Sequence, residues 1–296
     1  VSLSLVVMWT VCWSTTKKHV YWRSPCGKSQ WDRPVIDSVM CYEQASKTGR
    51  ANKEDMLRLE SNEWKRHMIT AHVGRNCSVL DVGCGRGGDL SKLVHRQVST
   101  YTGVDSSPLA LEEACSRAVN LGINACLCLS DMSVDEPIVI AAPSDVGICM
   151  FALHYFVMTE SSTTRFARFL KLHLKPGAFF LGVCPDPREI MYRLLDEDSA
   201  DDGTVSLRWI DATAGLYNCK ITSDSGDVLV DAKEKLIDWP VVERIIESVA
   251  NLRLVSLVPA PSLNCSSMAL YSAFVFEPIV QVRPVCVRGN KKNKKS

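Results

Sequence analysis

The stretch Ser78 to Leu90, SVLDVGCGRGGDL, constrains the fold of this chain more than any other. It reads as a short apolar strand, a turn with glycines at 83, 85, 87 and 88, and the polar start of a helix. Glycines allow backbone angles and a close approach that a Cβ would block, so a ligand can lie directly on such a turn. The segment also satisfies GxGxxG through Gly83, Gly85 and Gly88, a pattern shared by many dinucleotide-binding sheets.

Charge separates the possible ligands. Asp81 lies at the strand end and Asp89 just past the glycines, where they repel a pyrophosphate but attract the ammonium and sulfonium of S-adenosylmethionine. Asp105 closes a second apolar strand, YTGVD, about 20 residues after the turn, the spacing at which an acid meets ribose hydroxyls. A structural turn among unrelated surface acids is the alternative, and it accounts poorly for both features together.

The 296 residues hold one substantial domain plus a small appendage. A 46% hydrophobic content and a net charge of +1 describe a globular protein, and global charge does not name nucleic acid as a partner. The 13 cysteines form no CxxC pair, so neither a metal site nor a disulfide framework is expected, and reduced intracellular thiols fit better. The opening VSLSLVVM is short and lacks a basic flank, and no run approaches a membrane span. A nuclear protein is expected, with the cytoplasm as the alternative. The first residue is Val, so an N-terminal extension stays open.

Residues 9 to 34 contain three short β-prone runs rich in Trp, Tyr and Val, separated by turn residues and closed by Pro34. This segment resembles a WW domain: Trp9 and Trp31 have the family separation, and Trp9, Tyr21 and Pro34 match its packed buckle. The resemblance implies a proline-rich peptide as ligand, with Trp31 as the stacking residue and Ser29 beside it. Val20 replaces the usual ligand-face aromatic, and Trp22 on the same strand face compensates. The expected organisation is a WW-like module over 1–38, a linker over 39–57, a main domain over 58–280 and a basic tail over 281–296. The tail ends KKNKKS, a solvated end or a nuclear targeting signal.

Strand and helix alternate through the main domain. From Asp55 the positions Met56, Leu57, Leu59, Trp64, Met68 and Ile69 fall mostly at helical spacing, which predicts a helix leading into the glycine-turn strand. A helix over 108–121, a strand over 125–129, a strand over 146–151 and a helix over 163–174 follow. Lys175, Pro176 and Gly177 are expected to stop that helix before a strand over 179–183. Late strands are expected over 252–258 and 270–276. The fold class is therefore α/β: a Rossmann-like doubly wound sheet with an antiparallel last strand, plus the small all-β N-terminal module.

From about Ser61 to Glu277 the chain resembles the mRNA cap guanine-N7 methyltransferase family, on separated motifs that occur in the family's order. These are DVGCGRGGDL, ALHY at 152–155, KPGAFFLGVCPD, VDAKEKLI at 230–237 and LYSAFVFE. The resemblance implies that Asp81, Gly83 and Gly85 hold the methionine end of S-adenosylmethionine, Asp105 its ribose and Asp131 its adenine edge. Arg66 stands where the family has a lysine near the cofactor carboxylate. Asn62 matches one of two consecutive asparagines, the second being replaced by Glu63.

For a 5'-capped RNA, the resemblance implies a guanine pocket of Phe151, His154, Tyr155, Pro185, Glu234 and Tyr271. Arg86 and Arg117 would lie near the triphosphate, with Asn62 and Asp89 also on the substrate side. Guanine N7 has an in-plane lone pair and no proton to remove, so positioning alone suffices and no catalytic acid, base or nucleophile is expected. The competing expectations are a methyltransferase for another RNA position or a small molecule, and a cap- or cofactor-binding protein without turnover.

Overall fold

The computed structural model describes residues 9–13, 20–23, 56–134, 141–223, 226–260 and 266–279. Two strands come first, β1 (Trp9–Trp13) and β2 (Val20–Arg23), then helix α1 (Met56–His72). The glycine-turn unit follows as β3 (Ser78–Val82) and α2 (Leu90–His95). Next come β4 (Thr100–Asp105), α3 (Pro108–Leu121), β5 (Ala125–Leu129) and β6 (Ser144–Met150). A short helix α4 (Leu153–Phe156) and the longer α5 (Glu160–His173) lead into β7 (Leu174–Pro185) and α6 (Pro187–Arg193).

Four strands, β8 (Ser199–Asp201), β9 (Val205–Asp211), β10 (Leu216–Thr222) and β11 (Val228–Lys235), then form a sheet of their own. Helix α7 (Trp239–Ala250) and strands β12 (Leu252–Pro259) and β13 (Tyr271–Pro278) return the chain to the main sheet. That sheet has the order β12-β13-β7-β6-β3-β4-β5-β1-β2. Strands β5, β4, β3, β6 and β7 are parallel to one another, and β13 and β12 add antiparallel on one side. The order reverses between β3 and β6, which places the crevice for a ligand at the end of the glycine-turn strand.

Successive side chains of a strand point to opposite faces, and β3 shows the division. Leu80 and Val82 enter a core with Phe166, Phe169 and Ile245 of α5 and α7, while Val79 joins Ile69, Leu93 and Leu111 of α1, α2 and α3 on the other face. A third, smaller core under the four-stranded sheet gathers Ile190, Leu194, Leu207, Tyr217 and Ile221.

Local chemistry accounts for the element ends. Ser107 accepts a hydrogen bond from the Ala110 backbone at the start of α3, Pro108 occupies the first turn, and Gly122 closes the helix at φ 68°. Helix α5 begins earlier than the sequence predicts because Thr159 and Ser162 form a reciprocal cap. It ends at His173, and Lys175, Pro176 and Gly177 lie inside β7 rather than in a separating turn. The β6–β7 ladder shifts register there, from Ser144↔Leu174 to Val146↔Phe179, so Pro176 sits where the ladder is interrupted and no donor is lost.

Two of the three N-terminal β-prone runs form a hairpin, pairing Thr10↔Arg23 through Trp13↔Val20. Strand β1 also pairs antiparallel with β5, from Trp9↔Leu129 to Cys12↔Cys126, and extends the main sheet. The third run, with Ser29, Trp31 and Pro34, lies outside the described residues, as do the linker up to residue 55 and the chain from residue 280.

Candidate active site

The carboxyl ends of β3, β4 and β5 bring Asp81, Gly83, Gly85, Asp105 and Asp131 together, while Arg66 lies on α1. Gly83 and Gly85 both have positive φ, 72° and 50°. The Gly83 amide donates to the Val104 carbonyl at 2.8 Å, and a Cβ there would fall 2.4 Å from that of Ala152. A Cβ on Gly85 would meet nothing within 4 Å, so this part of the turn faces open space. Asp105 shapes the turn directly. Its Oδ2 accepts from the Gly85 amide at 2.7 Å and its Oδ1 from the Ser107 amide at 2.9 Å. The Ser130 amide donates to the Asp105 carbonyl at 3.0 Å, which sets Asp131 beside it, and Asp131 Oδ1 holds Ser133 through its amide and hydroxyl.

Asp81 is buried, 2% exposed, and accepts a 2.8 Å hydrogen bond from the Tyr101 hydroxyl. Burial, and then the charge of Asp89, push its carboxyl up to about 7, against the pull of Tyr101. Burial likewise raises Asp105. This end of the sheet therefore holds carboxylates that a cationic ligand would relieve.

Asp89 differs from the sequence expectation. Its Oδ1 lies 3.0 Å from Lys65 Nζ and 2.8 Å from Lys92 Nζ. Burial alone would raise this carboxyl, but the two ammonium groups hold it below its ordinary value. Its charge is shared with two lysines inside the protein while still acting on Asp81, so Asp81 and Asp105 are the carboxyls without an ammonium partner at this end of the sheet among the described residues. Lys92 also donates to Asn62 Oδ1 at 2.9 Å and to the Gly88 carbonyl at 3.1 Å, fastening α1 to the glycine turn. Asn62 and Arg66 line a cleft of about 550 Å³ between α1 and α2, shared with Glu60, Glu63 and Ser91.

The expected guanine residues also converge, from five separate elements. Phe151 follows β6 with φ 63°, an uncommon conformation for a bulky residue, and its amide donates to the Val183 carbonyl at 2.7 Å. Its ring meets the edge of Tyr271 at 4.8 Å between centroids, and Lys65 Nζ sits 5.6 Å from the ring centre. Pro185 is the strand partner of Tyr271. His154 and Tyr155 of α4 have ring centroids 3.9 Å apart, and His154 Nε2 lies 3.4 Å from Glu234 Oε1. Glu234, only 7% exposed, accepts from the Tyr217 hydroxyl at 2.8 Å. Burial alone would raise its carboxyl, yet His154, then Tyr217 and Tyr155, hold it below the ordinary range.

Arg86 and Arg117 converge on one acid that the sequence does not single out, Glu113 of α3. Arg86 Nη1 lies 2.9 Å from Glu113 Oε2, and Arg117 pairs with Oε1 one helical turn away. Lys65, Tyr101 and Tyr217 were equally invisible in the sequence, because each pairs with an acid 17 to 24 positions away, and Lys92, one turn from Asp89, also reaches Asn62 30 positions away. Trp22 pairs with Val11 in the hairpin, and Ser29 and Trp31 lie outside the described residues.

Comparison with known proteins bears on the family and the fold. A rice protein, mRNA cap guanine-N(7) methyltransferase 1 of Oryza sativa subsp. japonica, is 30% identical over 193 residues, covering 60% of this chain and 52% of that protein. The mRNA cap guanine-N(7) methyltransferase of Saccharomyces cerevisiae is 27% identical over 227 residues, covering 69% of this chain and 52% of that protein. The chain thus spans about half the length of these relatives. Among solved structures, an S-adenosylmethionine-dependent methyltransferase from Clostridium acetobutylicum superposes with a TM-score of 0.56 at 16% identity, over 80% of this chain and 99% of that one. The CcbJ methyltransferase from Streptomyces caelestis gives 0.55, also at 16% identity, over 75% of this chain and 90% of that one. These two likenesses establish the fold. The sequence profile of the mRNA (guanine-N(7))-methyltransferase domain matches residues 55–214, so it contains the glycine turn, Asp105, Asp131, Phe151 and Pro185, and Tyr271, beyond the match, meets Phe151 and pairs with Pro185. With more than half of its length matched, this chain belongs to the mRNA (guanine-N(7))-methyltransferase domain family.

Proposed function

We propose that the chain transfers a methyl group from S-adenosylmethionine to N7 of the guanine at the 5' end of capped RNA. The observation that carries this reading is a buried carboxyl, Glu234, held below the ordinary range among His154, Tyr217 and Tyr155, with the Phe151–Tyr271 aromatic pair packed through Tyr271 against the same small core as Tyr217. Guanine offers two adjacent donors, N1–H and the exocyclic amine, which one carboxylate accepts together. Adenine has an acceptor at N1 that the carboxylate repels. Anchoring that edge leaves N7, on the opposite side of the base, free to face the cofactor.

The residues at the strand ends fit the cofactor. Asp105 can accept from ribose hydroxyls through lone pairs not used by Gly85 and Ser107, and Asp131 lies beside it for the adenine edge. Asp81 is a buried carboxylate whose ionisation a nearby positive charge favours. Gly85 leaves the turn open to the methionine end, Gly83 lets the turn pack closely on Ala152, and Arg66 on α1 suits the cofactor carboxylate. When bound, this cofactor supplies an electrophilic methyl on a sulfonium. The chain's own contribution is alignment: Phe151 and Tyr271 set the plane of the base, Glu234 its rotation, and the low dielectric favours carboxylates near the cation that develops on guanine. Arg86 and Arg117, oriented by Glu113, and Asn62 at the cleft complete the side facing the triphosphate.

The N-terminal segment belongs to the proposal too. A WW-like module over residues 1–38, with Trp22, Ser29 and Trp31 as ligand face, would dock a proline-rich peptide, including a phosphorylated polymerase tail. This would place the enzyme in the nucleus, at new transcripts. The β1–β2 hairpin is consistent with the first two strands of such a module, since β1 pairs with β5 and leaves the far edge of β2 for a third strand.

The test compares methyl transfer to cap analogues carrying guanine and inosine, which lacks the exocyclic amine. Glu234→Ala should lose roughly a hundredfold in kcat/KM on the guanine cap while its cofactor affinity stays near wild type. If wild type treats both caps alike and the variant methylates both normally, the substrate is another RNA position or a small molecule. Cofactor binding without any methylated product would identify a binding protein instead.

A further inference from the structure

Glu234 can select guanine only if its carboxylate plane is held still. The side chain has three rotatable bonds, and a carboxylate that swings away from the base loses both donors at once. Tyr217 supplies the restraint. It stands directly opposite Glu234 in the β10–β11 ladder, so the two side chains share a face of the small sheet. The Tyr217 ring is fully buried in the third core with Leu207, Cys219 and Ile221, against the edge of Trp209. Its hydroxyl reaches Glu234 Oε2 at 2.8 Å from that core, while Oε1 is turned toward His154 at 3.4 Å.

We propose that Tyr217 is a positioning residue for guanine selection, tethering Glu234 Oε2 from the core so that both carboxylate oxygens face the Watson–Crick edge of the cap base. This rests on the guanine-N7 reading and deepens it. An ionised carboxylate has about four lone-pair sites, so one donor from behind leaves Oε2 able to accept from the base. The same hydrogen bond helps keep Glu234 ionised inside the protein, and a protonated Glu234 could no longer accept from both guanine donors. A purely structural tyrosine would fill the third core equally well without its hydroxyl.

Tyr217→Phe keeps the ring and removes the tether. The expected result is a KM for capped RNA raised roughly tenfold or more, with the guanine-over-inosine preference falling toward unity. The acid limb of kcat/KM should move to higher pH, because Glu234 then protonates more easily. Cofactor affinity should stay within about twofold of wild type, and in a Glu234→Ala background Tyr217→Phe should add no further loss. Should Tyr217→Phe fold poorly, 3,5-difluorotyrosine at position 217 keeps the ring and strengthens the donor, and it should move the acid limb to lower pH. An unchanged preference and pH profile in a folded Tyr217→Phe variant overturn the tether alone. So does an additive loss in the Glu234→Ala background. A wild type that does not prefer guanine overturns the pocket reading, and the tether with it.

Discussion

Asp81 is the residue whose titration tests the proposed cofactor site most directly. Its carboxyl is almost fully buried and accepts a hydrogen bond from the Tyr101 hydroxyl, and burial together with Asp89 raises it to about 7. Below about pH 4 an aspartate is protonated both folded and unfolded. Between about pH 4 and its folded value of about 7, only the folded chain keeps the proton, so stability falls as pH rises and stops falling above that value. The full effect is at most on the order of 4 kcal/mol. Asp81→Asn keeps an acceptor for Tyr101 and has no charge to ionise. Its stability relative to wild type should therefore grow from pH 4 to pH 7, as followed by denaturant unfolding of the ligand-free protein. Binding of a sulfonium cofactor should draw the proton off Asp81. Calorimetry near pH 7 in buffers of different ionisation enthalpy should show proton release in wild type and less in Asp81→Asn. Equal release in both proteins would remove Asp81 from the cofactor's electrostatics. The sequence did show Asp81 at a strand end, but it could not show that Asp89, with the same charge and eight residues on, is already matched by Lys65 and Lys92.

At the level of elements, legibility followed the strength of local signals. Helix α3 and strand β5 have the predicted bounds because Ser107, Pro108 and Gly122 mark one and a continuous apolar run marks the other. The four-stranded sheet of β8 to β11 was not predicted as a sheet. Its strands carry mixed polar and apolar residues, such as Asn218 and Lys220 beside Tyr217 and Cys219, and only pairing reveals which face is inside. The same holds for close approaches between elements. Gly182 of β7 reads as an unremarkable glycine in an apolar run, yet a Cβ there would lie 1.9 Å from the Cys149 carbonyl oxygen and 2.6 Å from the Phe274 ring. That contact sets the spacing of β6, β7 and β13, which together carry Phe151, Pro185 and Tyr271 to the site. Gly182→Ala must push β6 backbone aside, so a loss of about 3 kcal/mol or more is expected, with a sharp rise in KM for capped RNA. A melting curve superimposable on wild type would show that these strands are not packed at this spacing.

Across the whole molecule the proposed reading puts the two halves of the reaction on different supports. In that reading the cofactor side rests on β3, β4 and β5, and the guanine side on the β6–β7–β13 end together with the small sheet. Among the described residues the N-terminal hairpin pairs with the first of these, through β1 on β5, two residues before Asp131. Deleting residues 1–38 uncovers the β5 edge, whose unpaired backbone groups favour association between molecules. It removes none of the residues assigned to cofactor or guanine. Turnover at saturating cofactor should therefore stay within a factor of about three, and guanine-over-inosine preference should be unchanged. Any loss should appear as a weaker cofactor affinity, a melting temperature lower by a few degrees and a greater tendency to aggregate, measured by light scattering. Binding of a proline-rich peptide should disappear with the deletion, and Trp31→Ala in the full chain should remove it without altering turnover. A collapse of kcat in a deleted chain that still melts cooperatively would mean that the hairpin and the main sheet act as a single catalytic unit, and the separation of roles across the sheet would then be wrong.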